Sequence, residues 1–498
     1  MKKILLLCFL ALSGVIIAQS TTNLNVSESA EYKDEVKSTE VLTIHTTSSG
    51  KTAIVRNAKR DLLFDIFDAN LIKTVSKVVE SDKDETYVGD LFYKDQLKLF
   101  TVYAPEKDER IIYCHTLDIA TGTHTKTTLF TTTVEKKQSL FGSRKNHKTG
   151  FALSPNGKYI AVATDDIRKN KNSYTIRVFD AASEALQYER SYQEDEKHEF
   201  IHNDLFIDDN AAVYSLGKLF RNGRSNKNSK GDANYVFVLN KITKDKADEL
   251  IVKLDDEHIQ SLTISQTNDK LHLLGFYSER NASRVKGGCD FVIDTNSFSV
   301  TTKKTHPLPK QVYEDLYGYR TAERKNDKKK ELKNFEVDYV LTDSQGGTYL
   351  IAEEFYETTT YVRTGTTGGY YQTVYHYDDI LVLKFAANGD LAWGRSVFKR
   401  DTSPSYNAFL KDDQLHIILN SGKNLTEKDD GRTKVSRGWF ESSSLYDFEY
   451  TVDGQVAYNK IQDNRGNEYY LPFYGTYAAD TFIMMNDGRK KKTFMTLK

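Results

Sequence analysis

Six prolines, three cysteines, four methionines and two tryptophans are spread through 498 residues. Each scarcity excludes something. Only Cys114 and Cys289 lie beyond residue 18, so neither a disulfide-stapled scaffold nor a cysteine-rich zinc module fits. No CxxC pair, Gly-rich phosphate loop or G-x-S-x-G nucleophile elbow occurs. Neither sign of charge is in excess, with 69 basic against 70 acidic residues, so the chain has no global electrostatic pull towards nucleic acid. After residue 18 no stretch is apolar enough to span a bilayer. Charged residues at 28% and a mean hydropathy of −0.57 describe a water-facing surface.

What is abundant is the strand-forming aromatic residue, with 31 Tyr and 26 Phe, which suit pleated faces that pack against one another. Residues 147–193 show how they are used. HKTGFALSPNGKYIAVATDD gives a strand, a Pro155-Asn156-Gly157 turn and an alternating strand. SYTIRVFDAASEALQYERSY adds a third strand, a turn at Ala181–Ser183 and a fourth strand. Period-2 alternation marks half-buried strands, and Asn-Gly between two such runs marks a hairpin. This unit resembles the WD40-like or TolB-type propeller repeat, whose hallmark is an SPDGK-like turn before an apolar strand. The resemblance covers this one unit well and the others in rhythm; it implies the fold and carries no functional residue.

The same grammar recurs along the chain. Turns before a second strand read SSGK at 48–51, DDNA at 208–211, TNDK at 267–270, SQGG at 344–347 and KDDQ at 411–414. Turns after a third strand read DANL at 68–71, ATGT at 120–123, DTNS at 294–297, AANGD at 386–390 and VDGQ at 452–455. Third strands are expected near 62–67, 110–117, 174–180, 234–240, 289–294, 379–385, 445–451 and 492–497. The last unit runs out of chain after its third strand, and a segment near Asn23–Ser27 is placed to supply the missing outer one. The expected fold is therefore all-β, a single closed propeller of eight four-stranded antiparallel blades, with seven as the alternative.

Residues 1–18 read as a secretory signal: Lys2 and Lys3 precede an apolar run from Ile4 to Ala18, too short to span a bilayer and followed by Gln19. The expectation is a secreted or periplasmic protein with a propeller over 19–498. Cys114 and Cys289 fall in blades two and five, too far apart to bridge.

Several motifs invite chemistry and fail on geometry. His198-Glu199-Phe200-Ile201-His202 matches H-E-x-x-H, which chelates zinc only from one helical face. Extended, its two histidines stand about 13 Å apart. Thr342–Tyr349, TDSQGGTY, is a near miss to the sialidase Asp box, with Ser344 where the Asp belongs. Two tryptophans make a poor match to quinone-dependent propeller dehydrogenases. Glu353-Glu354 and Asp378-Asp379 are adjacent pairs whose members point to opposite faces of a strand, and read as solvated or loop-capping groups. No catalytic residue, metal ligand or cofactor is assigned.

The extra length sits in inserts at 217–233, 277–288, 307–334, 357–379 and 421–444. Val312, Leu316 and Tyr319 at helical spacing predict a short helical insert around 309–332, followed by a charged run from Lys325 to Lys333. Second-to-third-strand loops and blade-to-blade connections emerge on one face of a propeller, so that face is the elaborated one. It carries Arg221 and Arg224 in the first insert, Arg280, Arg284 and Lys286 in the second, Tyr361, Tyr370 and Tyr371 in the fourth and Trp439 in the fifth. Basic and aromatic groups together suit an anionic glycan or an acidic protein surface. The function expected is an exported binding or scaffold propeller of the bacterial cell envelope, binding an envelope protein or anionic glycan; the alternative is a propeller-fold polysaccharide lyase or glycoside hydrolase.

Overall fold

The computed structural model describes residues 23–498 except 34–35, 37–39, 59, 135–140, 142–149, 166–172, 194–198, 222–224, 226–227, 229–232, 268–269, 280–283, 328–329, 365–367, 423–424, 426–442 and 489–490. Within these, the side chains at 165, 173, 192–193, 199, 267, 327, 360–364 and 368–371 are not described. Residues 1–18, which the sequence leads one to expect as a secretory signal, lie outside the described residues.

Eight four-stranded antiparallel sheets follow one another along the chain, so the alternative of seven blades is set aside. Blade one spans Glu40–Val79, blade two Thr86–Thr133, blade three Phe151–Gln193 and blade four Glu199–Val252. Blade five runs over His258–Pro307, blade six over Phe335–Val397 and blade seven over Tyr406–Asp463. Blade eight takes three strands from the C-terminus, Thr476–Ala478, Thr481–Met485 and Phe494–Leu497, and its outer strand from Val26–Glu28. Val26 pairs with Leu497 and Glu28 with Met495. The chain ends thus complete one sheet, in which Phe494–Leu497 is paired on both sides.

Each blade buries its faces against its neighbours, and the apolar clusters divide accordingly. Phe64 and Ile66 of blade one meet Leu97 and Leu117 of blade two. Phe100 and Cys114 meet Ile160 and Phe179, and Ile176 and Val178 meet Leu205 and Val213. Leu239 meets Leu273 and Phe291. Phe276 meets Leu350 and Leu383, and Ile351 and Val382 meet Ile417 and Tyr446. Ile418 and Phe409 meet Phe482 and Met484, with Leu24 joining them. Phe67 and Ile54 of blade one meet Met485 and Phe494 of blade eight, closing the circle.

Polar bonds between first strands reinforce the ring. Five first strands share a register shift at the same height, which leaves Leu42, Val88, Asn203, Gln260 and Asp338 as the extra residue of a bulge. Three of these reach the next blade. Asn203 Nδ2 donates to the Leu262 carbonyl at 2.8 Å, Gln260 Nε2 to the Phe335 carbonyl at 3.4 Å, and Tyr406 donates its hydroxyl proton to Asp338 at 2.6 Å.

The two short turns of each blade lie together on one face, and their composition has a direct cause. Asp68, Asp180, Asp208 and Asp294 each accept backbone N–H bonds from residues two to four positions on, closing turns with a side chain in place of a backbone carbonyl. Neighbouring turns also bond to each other. The Asn156 N–H donates to Asp209 at 2.9 Å, and the Ser344 N–H to Asp413 at 2.8 Å. TDSQGGTY is accordingly a blade-to-blade clasp: Asp343 caps its own turn through the Gly347 N–H at 2.6 Å and pairs with Lys384 at 3.0 Å. Gly157, at a φ of +74°, lies under the Tyr93 ring, where a Cβ would come within 2.4 Å of it.

The helical insert is two helices, α1 (Lys310–Tyr317) and α2 (Tyr319–Asp327). Val312 and Leu316 are buried as expected, but Tyr319 is 51% exposed, because Gly318 breaks the helix with a φ of +75°. Asp315 of α1 holds Arg395 at 2.8 Å, fixing the helix to the outer strand of blade six. Cys114 and Cys289 lie in the third strands of blades two and five, buried and unbridged. Burial pushes the Cys114 thiol up to about 12 and raises that of Cys289 well above its ordinary value. Of H-E-x-x-H, Glu199–His202 form part of a strand and His198 lies outside the described residues.

Two measurements check this arrangement. Leu24→Ala, in the seam of blades seven and eight, should cost about 2–5 kcal/mol in chemical denaturation, whereas the exposed Val26→Ala should cost about 0.5 or less; a silent Leu24→Ala would mean the N-terminal strand does not close the ring. Both thiols should resist alkylation at pH 8 in the native protein and react once it is unfolded.

Candidate functional site

The insert at 357–379 is a β-arm. The second strand of blade six continues to Thr364 and the third starts at Gly368, giving paired strands of 17 and 18 residues. Pairing runs unbroken from Phe355↔Tyr377 to Thr364↔Gly368. The first strand of the blade reaches only Glu354, and the fourth ends, at Val397, opposite Ile380. Beyond the blade the arm therefore carries on alone for about nine residues a side, about 30 Å. Its base is packed by aromatic groups. Phe355 lies 5.0 Å from Tyr377 and 6.2 Å from Tyr375 between ring centroids, and on the opposite face Tyr356 stacks on His376 at 4.4 Å.

Where the arm leaves the blade, the ladder slips between Glu353 and Phe355. One residue, Glu354, then opposes two, Asp378 and Asp379, and the two acidic pairs that flank the insert converge. They are not solvated: Glu353, Asp378 and Asp379 are buried and Glu354 is half-buried. The connection to blade seven supplies their counter-charges. Lys399 pairs with Glu353 at 2.7 Å and donates to the Tyr377 carbonyl at 2.6 Å. Arg400 pairs with Asp379 and lies 3.6 Å from Asp378. Tyr356 donates to Asp378 at 2.9 Å.

Three carboxyls around one guanidinium leave negative charge in excess. Burial, with the Asp379 charge beside it, raises Glu354 to about 7 against the pull of Arg400. Burial raises Asp379 to about 6, Arg400 again opposing. Burial and the same two carboxyls push the Tyr317 hydroxyl of α1 up to about 12. The site thus holds one carboxyl, Glu354, that titrates near neutral pH beside a permanent cation.

A second polar cluster, between blades one and two, is fully paired. Glu85 is held down at about 2: burial opposes this, but hydrogen bonds from His115, Thr101 and Lys126 outweigh it. Burial and the neighbouring His115 push His124 down to about 4. The inner-strand carboxylates are likewise bonded across to a neighbouring blade. Asp90 accepts from His45 at 2.7 Å, Asp204 from the Ile264 N–H at 2.7 Å, and Asp338 from Tyr406.

Of the residues singled out in the sequence, those that are described fall on blades four, five and six. Arg221 is exposed at the end of a blade-four strand; Arg224, Arg280 and Trp439 lie outside the described residues. Arg284 is half-buried and pairs in a two-residue ladder with Lys333, which ties the blade-five loop to the end of the helical insert. Lys286 is bound by Glu279 at 2.5 Å and Glu257 at 3.6 Å. Tyr361 and Tyr371 stand directly opposite each other on the arm, and Tyr370 opposes Val362. The acidic convergence at the arm's base had a signal in the sequence: carboxyl pairs at both ends of one insert must meet if that insert is a hairpin.

No protein-family model matches the chain, and no curated protein matches it. Solved structures similar to it include the β-propeller domain of the Trilobed protease from Pyrococcus furiosus, at 9% identity and a TM-score of 0.38, covering 84% of this chain and 97% of that one. The WD40 domain of SCAP from fission yeast is similar at 9% identity and a TM-score of 0.42, over 95% and 98% of the two chains. Polysaccharide lyase Uly1 is similar at 11% identity and a TM-score of 0.39, over 82% and 89%. At such values the likeness carries no argument about activity.

Glu354 supplies a test with a definite sign. A carboxyl whose pKa rises from its ordinary value to about 7 on folding destabilises the native state progressively as pH climbs from about 4.5 to 7, and fully above that. Glu354→Gln should therefore leave the melting temperature unchanged at pH 4.5 and raise it by about 1–2 °C at pH 8. Equal effects at both pH values would remove the burial argument.

Proposed function

We propose that the chain is an exported binding propeller of the bacterial cell envelope, and that its loop face holds an envelope protein or an anionic glycan. The observation that carries this reading is the asymmetry of the two faces. One is trimmed to capped turns that clasp one another; the other bears the β-arm and the helical insert. Ordering a long arm costs conformational entropy that a purely structural ring has no need to spend. Recognition elements are placed on such projections above a rigid scaffold. The structured part of the face offers aromatic rings on the arm, with Tyr375 at 47% exposure, and basic residues on blades four and five. Among the described residues no helix is long and apolar enough to cross a membrane, and the apolar segment at 1–18 accounts for export.

The test is binding to polygalacturonate, as an anionic glycan, and to an envelope protein extract. Changing Arg221, Arg224, Arg280 and Arg284 together to Ala should weaken capture tenfold or more, and added salt should do the same. Binding indifferent to both would place recognition elsewhere.

A second reading, a polysaccharide lyase or glycoside hydrolase, is favoured by one observation. Glu354 at about 7 lies beside Asp379 at about 6, and a carboxyl kept protonated near neutral pH is what a general acid requires. Under that reading polysaccharide cleavage is measurable and Glu354→Gln abolishes it; cleavage that survives the substitution would exclude this site.

A further inference from the structure

We propose that two copies of this chain associate through the free edge of the β-arm, in an antiparallel ladder with a two-fold axis at Thr360. The proposal is independent of what else the loop face binds.

The direction of the free hydrogen-bonding groups is set at the base of the arm. The Phe355 N–H donates away from its hairpin partner, to the Asn334 carbonyl at 2.9 Å. From there the strand pairs without a further slip to Thr364. In an antiparallel ladder alternate residues turn both backbone groups to the same side, so Glu357, Thr359, Tyr361 and Arg363 present their N–H and C=O groups on the outer edge. Among the described residues no strand covers that edge beyond Glu354.

The edge also lacks the usual protection. Exposed edges are commonly guarded by lysines, prolines, bulges or brevity. Residues 358–374 contain no proline and no lysine, and Arg363 is their one charged residue. The segment is rich in Thr, Tyr and Val, all strand formers. Such an edge is a template for another strand.

Charge placement identifies that strand as the same one from a second copy. On the outgoing strand beyond the blade, the charged residues are Glu357 and Arg363. They lie equally far on either side of Thr360 and, being six apart, belong to one face. A two-fold axis at Thr360 sets Glu357 opposite Arg363 of the other copy, twice per dimer, and Thr359 opposite Tyr361. All of these are edge-facing positions, so the hydrogen-bonding phase and the charge register agree. Moving the axis by half a residue turns the edge-facing positions out of phase, and moving it by one residue keeps the phase but takes Glu357 out of register with Arg363.

The experiment is sedimentation of the purified full protein without added ligand, with melting temperature as the folding control. The native protein should show a concentration-dependent monomer–dimer equilibrium. Glu357→Arg alone, or Arg363→Glu alone, should weaken dimerisation about tenfold, since like charges then face each other at both ends of the ladder. The double swap, Glu357→Arg with Arg363→Glu, should restore it. Thr359→Pro removes an edge N–H without touching the hairpin's own bonds and should abolish dimers while leaving the melting temperature within about 1–2 °C. A protein monomeric at all accessible concentrations overturns the proposal. So does a dimer that ignores the single reversals, or one that the double swap fails to restore.

Discussion

A four-stranded blade cannot stand alone, and that constraint governs the molecule. Its two faces are both apolar, so each blade needs a neighbour on either side, and a row of such blades is satisfied only when the last meets the first. Here the first and last meet through Phe67 and Ile54 against Met485 and Phe494. The sheet that makes the meeting possible is assembled from both ends of the chain, Val26–Glu28 completing Phe494–Leu497. Closure converts eight marginal sheets into one cooperative body. It also supplies a rigid platform from which long segments project without loss of position.

The ring's architecture was legible because it is written in short-range chemistry. Asp and Asn at fixed offsets close the turns through their own side chains, and alternating aliphatic and aromatic residues mark the strands between. All eight third strands overlap the expected segments, the one in blade six starting early, at Gly368, because it runs out into the arm, and the truncated last unit points to the N-terminal strand. What escaped was whatever depends on register. The bulge residues Asn203, Gln260 and Asp338 carry no mark in the sequence, since a one-residue slip is invisible until two strands are paired. The helical insert was visible through Val312 and Leu316, but Gly318 divided it and left Tyr319 outside.

The site was half legible for the same reason. Glu353-Glu354 and Asp378-Asp379 stand out in the sequence as pairs, but adjacent residues on one strand point apart, and that local rule conceals what the hairpin does. Pairing across the arm brings Glu354 to Asp378 and Asp379 at the slip in register, where Arg400 offsets part of their charge. The loop's own sequence sets only Glu279 against its basic residues, whereas Glu257, from a different connection, also reaches Lys286. The insert at 357–379, which the sequence presents as a loop, is instead an ordered projection whose base is packed by Phe355 against Tyr375 and Tyr377 and by Tyr356 against His376.

The two faces thus differ in kind: one locks the blades together, and the other has free chain to offer. A photo-crosslinking residue placed at Tyr375 on the arm and, separately, at Val452 on the trimmed face tests that division most directly, because both positions are 47% exposed. In the producing cell, the account predicts covalent adducts from position 375 and none from position 452. Adducts from 452 with none from 375 would contradict it.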